Sequence, residues 1–265
     1  MLTTPDTMRD ALWTAWSWYR FLREAGFALV LAVDGNVSTE DSAAAARLFP
    51  DITVLPAQAP ADLIVEQEPS LKTFLALYPT GRKLALLLAL SAQYPVIYSD
   101  SDVLAFARPE DLLHCVAKNI PCYFMEEVDG TRDPFIIERA QQLGLDYLRR
   151  FNSGFLYLPQ GSLPIKTAVQ ILDKWQPPVT SWFTEQTVLS VMLHGAKAEA
   201  LPPDRYVISA RRQFYWQKDV DYSVIAARHF TGTVRHVMYR YGMPVVLKQG
   251  RSNSSLTHDF GSDPN

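Results

Sequence analysis

Cysteine is scarce in this chain, with Cys115 and Cys122 the two present among 265 residues. Two cysteines cannot build a disulfide framework, and these two lack the C-x2-C spacing of a metal-binding motif. Free thiols persist where the surroundings are reducing. The cysteine content therefore favours a cytoplasmic protein.

Long hydrophobic runs are also missing. The run LALLLAL, Leu84–Leu90, is far shorter than the roughly 20 apolar residues that cross a bilayer. The opening MLTTPDTMRD has neither the basic stretch nor the apolar stretch of a secretory signal peptide. We therefore expect no transmembrane segment and a cytoplasmic location.

An excess of positive charge is absent too. The chain has 25 Lys and Arg against 28 Asp and Glu, a formal net charge of −3. This balance gives no long-range attraction to nucleic acid or to an acidic membrane, although it is compatible with a local basic pocket for a phosphate. We expect no nucleic-acid partner. With 48% hydrophobic and 20% charged residues, the composition is that of an ordinary globular protein.

What the chain does contain is a regular alternation of helix and strand patterns. Apolar residues recur at helical spacing over Leu12–Leu22, and Gly26 follows as a helix stop. The next run, Phe27–Val33, is continuously apolar, as in a strand buried on both faces. Repeated alternation of this kind predicts an α/β fold with a mostly parallel central sheet flanked by helices.

The other predicted elements continue this alternation. Helix patterns span 39–48, 70–77, 82–92, 135–143, 164–175 and 183–193, and strand patterns begin at Ile52 and Pro95 and span 121–127, 153–159 and 222–230. One α/β domain of about 250 residues accommodates them, and we assign it to residues 1–249. Residues 250–265 are rich in Ser, Asn and Asp, which predicts a flexible polar tail.

Two carboxylates, Asp100 and Asp102, follow the strand pattern PVIYS. Ligands of open α/β sheets bind beyond the carboxyl ends of strands, and residues i and i+2 of an extended segment point the same way. Two like charges held together favour a cation, and Mg²⁺ and Mn²⁺ take oxygen ligands together with substrate phosphates. The pair therefore suggests a metal–diphosphate site. A capped turn made by Ser99, Asp100 and Ser101 is the structural alternative.

The segment DSDVL is also similar to the nucleophile motif of haloacid-dehalogenase phosphatases. That motif opens its domain, whereas several helix and strand patterns precede Asp100 here. The later acidic pair of those phosphatases, in a GDxxxD-like arrangement, is missing as well. We therefore disfavour a phosphatase of this class.

Four segments in a fixed order resemble glycosyltransferase family eight and related nucleotide-sugar transferases of the GT-A fold. YSDSDVLAF at 98–106 resembles the DxD motif, and FNSGFLYLP at 151–159 resembles the N-[SA]-G segment. TEQTVLSVML at 184–193 is similar to the segment that carries Asp-Gln, and RHFTGTVRHVMY at 228–239 is similar to H-x2-G-x2-K. Each motif is weak alone, and their order carries the resemblance.

This resemblance implies a GT-A fold and an enzyme that transfers a hexose from a UDP-sugar to an acceptor hydroxyl with retention of the anomeric configuration. It implies Asp100, Asp102 and His229 as metal ligands. An imidazole beside oxygen ligands favours Mn²⁺ over Mg²⁺, which we keep as the alternative cofactor. Gly232 and Arg235 would contact the diphosphate, with Arg where relatives carry Lys.

The resemblance also implies contacts with the donor sugar and the nucleoside. Asn152, Ser153, Gly154 and Lys83 would contact the donor, and Asp100 would hold either metal or ribose. Glu185 and Gln186 would lie beneath the reacting anomeric carbon, with Glu where relatives carry Asp. The opening MLTT leaves room for only the end of the first strand, so we expect either a short strand or a sequence that begins late in it. The predicted nucleoside contacts are Thr3, Thr4 and Asp34.

Two other functions remain open at this point: a non-catalytic module that binds a nucleotide sugar, and a sugar nucleotidyltransferase. The second normally begins with a Gly-rich, Arg-containing loop, which the first 30 residues lack. The acceptor, whether glycan, lipid, protein or small molecule, is not identified by the sequence. Aromatic residues suited to stacking on an acceptor sugar or to core packing are Trp182, Phe183, Tyr215 and Trp216.

Overall fold

The computed structural model describes residues 1–77, 79–118, 123–127, 132–173, 175, 181–208 and 221–252. Its strands are β1 (Leu2–Thr3), β2 (Leu29–Val33), β3 (Ile52–Pro56), β4 (Val96–Ser99), β5 (Val103–Ala105), β6 (Tyr123–Glu126), β7 (Phe151–Leu158), β8 (Glu199–Ala200), β9 (Tyr206–Ile208) and β10 (Ala227–His229).

The helices alternate with these strands, as the sequence pattern predicts. They are α1 (Met8–Leu22), α2 (Thr39–Leu48), α3 (Gln58–Gln67), α4 (Lys72–Leu75), α5 (Thr80–Gln93), α6 (Glu110–Lys118), α7 (Pro134–Gln142), α8 (Ile165–Leu172), α9 (Thr184–Gly195), α10 (Arg235–Val237) and α11 (Met243–Ser252). A π-helical turn, Met238–Gly242, joins α10 to α11. No helix in the described ranges is long and apolar enough to span a membrane.

The strands form three small sheets. The first is parallel throughout, in the order β1-β2-β3. The second has the order β4-β7-β6-β8, and β7 runs antiparallel to both of its neighbours. The third has the order β5-β10-β9, with β10 antiparallel to β5 and parallel to β9. The predicted α/β architecture is confirmed, and its parallel pairing is concentrated in the first sheet.

Some predicted boundaries differ from the observed ones. The predicted strand 222–230 is reduced to β10, because Asp221 accepts hydrogen bonds from the backbone N–H and the hydroxyl of Ser223 and bends the chain there. The predicted helix 70–77 contains only the short α4 and a preceding 3₁₀ turn. Helix α11 continues through Ser252, so the predicted tail begins as helix. Residues 253–265 lie outside the described residues, as do Cys122, Tyr215 and Trp216.

Helix α5 is the central packing element of the largest apolar cluster. Leu84, Leu86, Leu87 and Leu88 are all buried, so the helix has apolar neighbours on every side. The run LALLLAL is thus an internal helix, which is the ordinary place for an apolar segment too short to cross a membrane. Its rigid packing fixes the direction of the first helical turn, where Lys83 lies.

The junction between the second and third sheets positions the carboxylate pair. Strand β4 ends at Ser99 in the second sheet, and β5 begins at Val103 in the third, so residues 100–102 connect two sheets. The register places Ser99 opposite Phe155 and Val103 opposite His229. As a result, the middle of β7 and the end of β10 both lie beside the connecting turn.

We predict that Gly81→Ala lowers the free energy of unfolding by about 2–3 kcal/mol, the upper part of the usual range for overpacking. A Cβ at this position would lie 1.9 Å from the carbonyl oxygen of Phe74 and 2.8 Å from the Cα of Leu75, and both are backbone atoms that cannot rotate away. Urea unfolding of the two proteins measures the difference.

The matched control is Gly195→Ala at the end of α9, where a Cβ would meet nothing within 4 Å. We expect this change to be neutral or stabilising by up to about 1 kcal/mol, because Ala is the better helix former. Equal stability of the two variants would contradict the proposed close packing of α5 on α4.

Candidate functional site

A cavity of about 360 Å³ opens at the junction of the second and third sheets, within the size range of ligand pockets. Its walls come from the start of α5, the turn after β4, the middle of β7, the start of α9 and the segment after β10. The predicted site residues that line it are Lys83, Asp100, Asp102, Asn152, Ser153, Gly154, Glu185, Gln186, His229, Gly232 and Arg235. The structure therefore brings together residues from all four sequence segments.

Asp100, Asp102 and His229 converge at one side of this cavity. A ligand atom from each of the three lies within 4.8 Å of the others. The Nε2 atom of His229 is 3.1 Å from Oδ1 of Asp102. Two carboxylates and an imidazole are a donor set that suits a divalent ion such as Mn²⁺, since the oxygens are hard ligands and manganese tolerates a nitrogen beside them. These side chains therefore fit a metal.

Asn152 fixes which nitrogen of His229 is free for a metal. The Oδ1 atom of Asn152 is 2.9 Å from the backbone N of Gly154 and 3.0 Å from Nδ1 of His229. Because the backbone N–H can only donate, the Asn152 atom that it meets is the oxygen. The same oxygen accepts from Nδ1–H of His229, so Nε2 is the nitrogen that faces Asp102 and the metal position.

Gly154 allows this arrangement by lacking a side chain. A Cβ on Gly154 would lie 2.2 Å from Cε1 and 2.5 Å from Nδ1 of His229. The sequence resemblance implies that this glycine admits the donor sugar. In the structure the atoms that fill the space are those of the histidine ring. Gly232 differs, because its φ of +46° is in the left-handed region and a Cβ there would meet nothing within 4 Å.

The charges of Asp102 and His229 support each other. Burial alone would raise the pKa of Asp102, but the charge of His229 and hydrogen bonds from His229 and Arg235 lower this pKa to about 2. Burial likewise acts to lower the pKa of His229, and Asp102 offsets it so that the pKa is raised. Arg235 donates from Nη2 to Oδ2 of Asp102 over 2.8 Å. Asp102 is thus ionised and engaged through both oxygens.

Lys83 compensates the other carboxylates from the floor of the cavity. Its ammonium lies 3.1 and 3.2 Å from the two oxygens of Asp100, 3.0 Å from the Ser153 hydroxyl and 3.8 Å from Glu185. Burial acts to lower the pKa of Lys83, but Asp100 and Glu185 more than offset it, so the pKa is raised. Lys83 therefore remains a cation although it is buried.

Glu185 and Gln186 occupy the first turn of α9, beneath the cavity. Both side chains are buried, and burial raises the pKa of Glu185 to about 7. Gln186 accepts from the backbone N–H of Ser153 through Oε1 at 3.2 Å and donates from Nε2 to Glu127 at 3.0 Å. The amide of Gln186 is held at both ends, which fixes its orientation under the cavity.

Three predicted residues lie outside the cavity lining. The hydroxyls of Thr3 and Thr4 each lie 2.9 Å from that of Thr7, and Thr4 and Thr7 form the capping box of the short turn before α1. Asp34 faces Arg82, with Oδ1 3.4 Å from Nε. The lining residue of β1 is Leu2. Contacts of Thr3, Thr4 and Asp34 with a nucleoside stay a prediction.

Sequence reasoning missed two polar partners of the site. The Tyr98 hydroxyl donates to Asp100 over 2.6 Å, and strand alternation could have identified it, because residues i and i+2 share a face. The carboxylate of Glu127 accepts a hydrogen bond from Nε2 of Gln186 and also forms an ion pair with Arg132 at 3.4 Å. Its position just after β6 is the kind of strand end where sites form, but its partners come from distant segments.

The fold is that of known glycosyltransferases with the GT-A architecture. No protein-family model and no curated protein matches the chain. Among solved structures, the galactosyltransferase LgtC, in complex with donor and acceptor sugar analogues, has a TM-score of 0.63 and 14% identity over 95% of this chain and 96% of its own. Mouse xyloside xylosyltransferase 1 has a TM-score of 0.54 and 12% identity over 88% and 97%.

A third similar structure is core-mannan synthase A from Aspergillus fumigatus in an Mn/GDP form. Its TM-score is 0.51, with 10% identity over 76% of this chain and 72% of its own. At such identities the likeness establishes the GT-A fold and leaves the chemistry to be argued from the site.

We predict that Gly154→Ala displaces the ring of His229. The measurement is the slowly exchanging imidazole N–H signal in the proton NMR spectrum, which the hydrogen bond from Nδ1 to Asn152 protects and which a His229→Gln variant assigns. We expect the signal in the native protein and in Gly195→Ala, and its loss in Gly154→Ala. Persistence of the signal in Gly154→Ala would show that the glycine is not required for the ring position.

We predict that Glu185→Gln gains stability relative to the native protein as the pH rises. The pKa of Glu185 is raised from 4.5 to about 7 in the fold. The native protein therefore loses stability between about pH 4.5 and pH 7, because the carboxyl of Glu185 ionises in the unfolded chain there while the buried carboxyl stays protonated, and the variant does not. The linkage relation gives a change of about 3 kcal/mol in the stability difference between pH 4.5 and pH 8.

Urea unfolding at several pH values measures this difference. Glu66→Gln, on the exposed face of α3, is the control for removing one carboxylate. A pH-independent difference between Glu185→Gln and the native protein would mean that Glu185 is as well stabilised when ionised as it is in water.

Proposed function

We propose that this protein is a metal-dependent glycosyltransferase that transfers a hexose from a UDP-sugar to an acceptor hydroxyl with retention of the anomeric configuration. The observation that carries the proposal is the convergence of Asp100, Asp102 and His229 beside Arg235 in one cavity. The GT-A fold supports it, because the similar structures are glycosyltransferases.

The metal position is formed by groups that the fold has already oriented. Asp100 and Asp102 offer carboxylate oxygens, and His229 offers Nε2 because Asn152 holds its Nδ1. We propose Mn²⁺, with Mg²⁺ as the alternative, on the basis of the mixed oxygen and nitrogen donors. When bound, the ion would supply a Lewis acid that neutralises the diphosphate leaving group.

A positively charged residue and a small one beside the metal position, Arg235 and Gly232, would hold the diphosphate. Arg235 offers a planar guanidinium that can donate two parallel hydrogen bonds to phosphate oxygens, where a lysine would act as a point charge. Its Nε is buried and has no hydrogen-bond partner in the described part of the chain. Gly232 leaves open space beside the turn at Thr231. Both features favour an anionic ligand here.

The donor sugar would lie over β7 and the start of α9. The oxygen of Asn152 is engaged by Gly154 and His229, which leaves its amide Nδ2 to donate to a sugar hydroxyl. Ser153 accepts from Lys83 and lies 3.3 Å from Glu185, so its orientation is set from both sides. These groups would orient the sugar for attack by the acceptor.

Glu185 and Gln186 would lie beneath the anomeric carbon, as the sequence resemblance implies. Glu185 is held next to Lys83, and its ionised form would stabilise positive charge that develops on the sugar. Gln186 cannot rotate freely, because Ser153 and Glu127 hold both ends of its amide. The acceptor hydroxyl would attack from the face that the diphosphate leaves, and the diphosphate would take its proton, so no side-chain nucleophile is needed.

The acceptor is not defined by these residues. Trp182 lies at the edge of the cavity and is 77% exposed, which places an aromatic face where an acceptor sugar could stack. We assign the activity to one domain over residues 1–249, with nucleoside contacts at Thr3, Thr4 and Asp34 carried over from the resemblance.

Calorimetric titration of UDP into the protein tests the proposal. We expect binding with Mn²⁺ present, little binding with a chelator, and a loss of at least about ten-fold in affinity in Asp102→Asn, which keeps the side-chain shape but removes a charged metal ligand. Asp111→Asn is the matched control, since Asp111 pairs with Arg205 outside the cavity lining.

Release of UDP from a panel of UDP-hexoses then separates the alternatives. Metal-dependent turnover of one sugar supports the transferase. Binding without turnover of any UDP-hexose would favour the nucleotide-sugar binding module. Absence of UDP binding at any metal concentration would contradict the proposed function.

A further inference from the structure

Both carboxylates of the proposed metal position are already engaged by cations of the protein itself. Lys83 lies 3.1 Å from Asp100. Asp102 meets His229 through Oδ1 at 3.1 Å and Arg235 through Oδ2 at 2.8 Å. A divalent ion entering this position therefore has to compete with groups of like charge.

Arg235 is the competitor that is able to move. The side chains of Lys83, His229 and Asp102 are each 7% exposed, whereas that of Arg235 is 37% exposed and lies towards the opening. Arg235 is also incompletely satisfied, because its buried Nε has no partner among the described residues. The loss of the hydrogen bond from Arg235 to Asp102 costs little free energy if another anion accepts from Arg235 in place of Asp102.

The balance of charge in the cavity couples the binding of the divalent ion to the binding of the diphosphate. Asp100 and Asp102 face Lys83, His229 and Arg235, so the two carboxylates are already neutralised without a ligand. A divalent ion alone would leave a net positive charge in a partly buried cavity. A diphosphate alone would meet Asp102 while Arg235 is still engaged. Each ligand therefore removes the charge penalty of the other.

We infer that Arg235 exchanges partners, from Asp102 in the ligand-free protein to the diphosphate when the metal binds Asp102, and thereby makes metal and diphosphate bind cooperatively. This inference rests on the proposed function, since it assumes a diphosphate ligand. The inference goes beyond phosphate binding, because Arg235 also competes with the metal for Asp102 before the diphosphate binds. Binding coupling of this kind is reciprocal.

Removing the charge of Arg235 then has opposite effects on the two ligands. In Arg235→Gln, Mn²⁺ alone should bind more tightly by about five-fold or more, because Asp102 loses its competitor. UDP in the presence of saturating Mn²⁺ should bind more weakly by about ten-fold or more, because the diphosphate loses its guanidinium. A merely structural role for Arg235 would weaken both.

Free Mn²⁺ is measured by electron paramagnetic resonance for the metal alone, and UDP binding is measured by calorimetry. Arg235→Met, which keeps the aliphatic stem and removes the charge, is a second variant in case the Gln variant is poorly folded. Arg205→Gln is the matched control: it breaks the Arg205–Asp111 pair outside the cavity lining and should change neither affinity.

Tighter Mn²⁺ binding together with weaker UDP binding supports the exchange. Unchanged or weaker binding of Mn²⁺ alone in both charge-removing variants would overturn it, because Asp102 would then not be blocked by Arg235. A failure of the proposed function is distinguishable from a failure of the exchange. If the native protein does not bind UDP in the presence of Mn²⁺, the transferase proposal is contradicted. The affinities of the native protein and the variants for Mn²⁺ alone test the contact between Arg235 and Asp102 without UDP.

Discussion

Negative charge buried between two sheets is the constraint on which the cavity depends. Asp102 is 5% exposed and Glu185 is 4% exposed, and a buried carboxylate is costly unless cations or hydrogen-bond donors surround it. Lys83, His229 and Arg235 supply the cations, and Tyr98 supplies a hydroxyl. Much of the polar structure of the site is a response to this requirement.

The backbone brings the carboxylates and their partners together by joining the second and third sheets at the turn of residues 100–102. The backbone N–H of Asp100 donates to the carbonyl oxygen of Gly154 in β7 at 2.7 Å. The backbone N–H of Phe230, just after β10, donates to the carbonyl oxygen of Asp102 at 2.8 Å. These bonds fix the turn to strands from two different sheets. The strand register then determines which side chains lie close together, such as the ring of His229 over Gly154. A small change in either register would separate the carboxylates from their partners.

The same constraint connects the site to ligand binding. A cavity whose carboxylates are neutralised by cations of the protein needs no ligand to balance their charge. Under the proposed exchange, it binds a metal more tightly when another anion receives the displaced Arg235. Arg235 is suited to that exchange because it is more exposed than the other cations. The guanidinium of Arg235 can donate two parallel hydrogen bonds to one anion, which the ammonium of a lysine cannot do.

The sequence by itself determined the α/β class, most helices and strands, and the residues of four separated segments that form the cavity. Periodicity and apolar runs depend on local chemistry, so they are readable along the chain. The contacts that fix the roles of Asn152, Gly154 and Glu127 were decided by the tertiary structure alone. They join residues that lie far apart in sequence and depend on strand register across two sheets, which no local pattern encodes. Long-range contacts of the same kind place Asp34 beside Arg82, which no local pattern predicts.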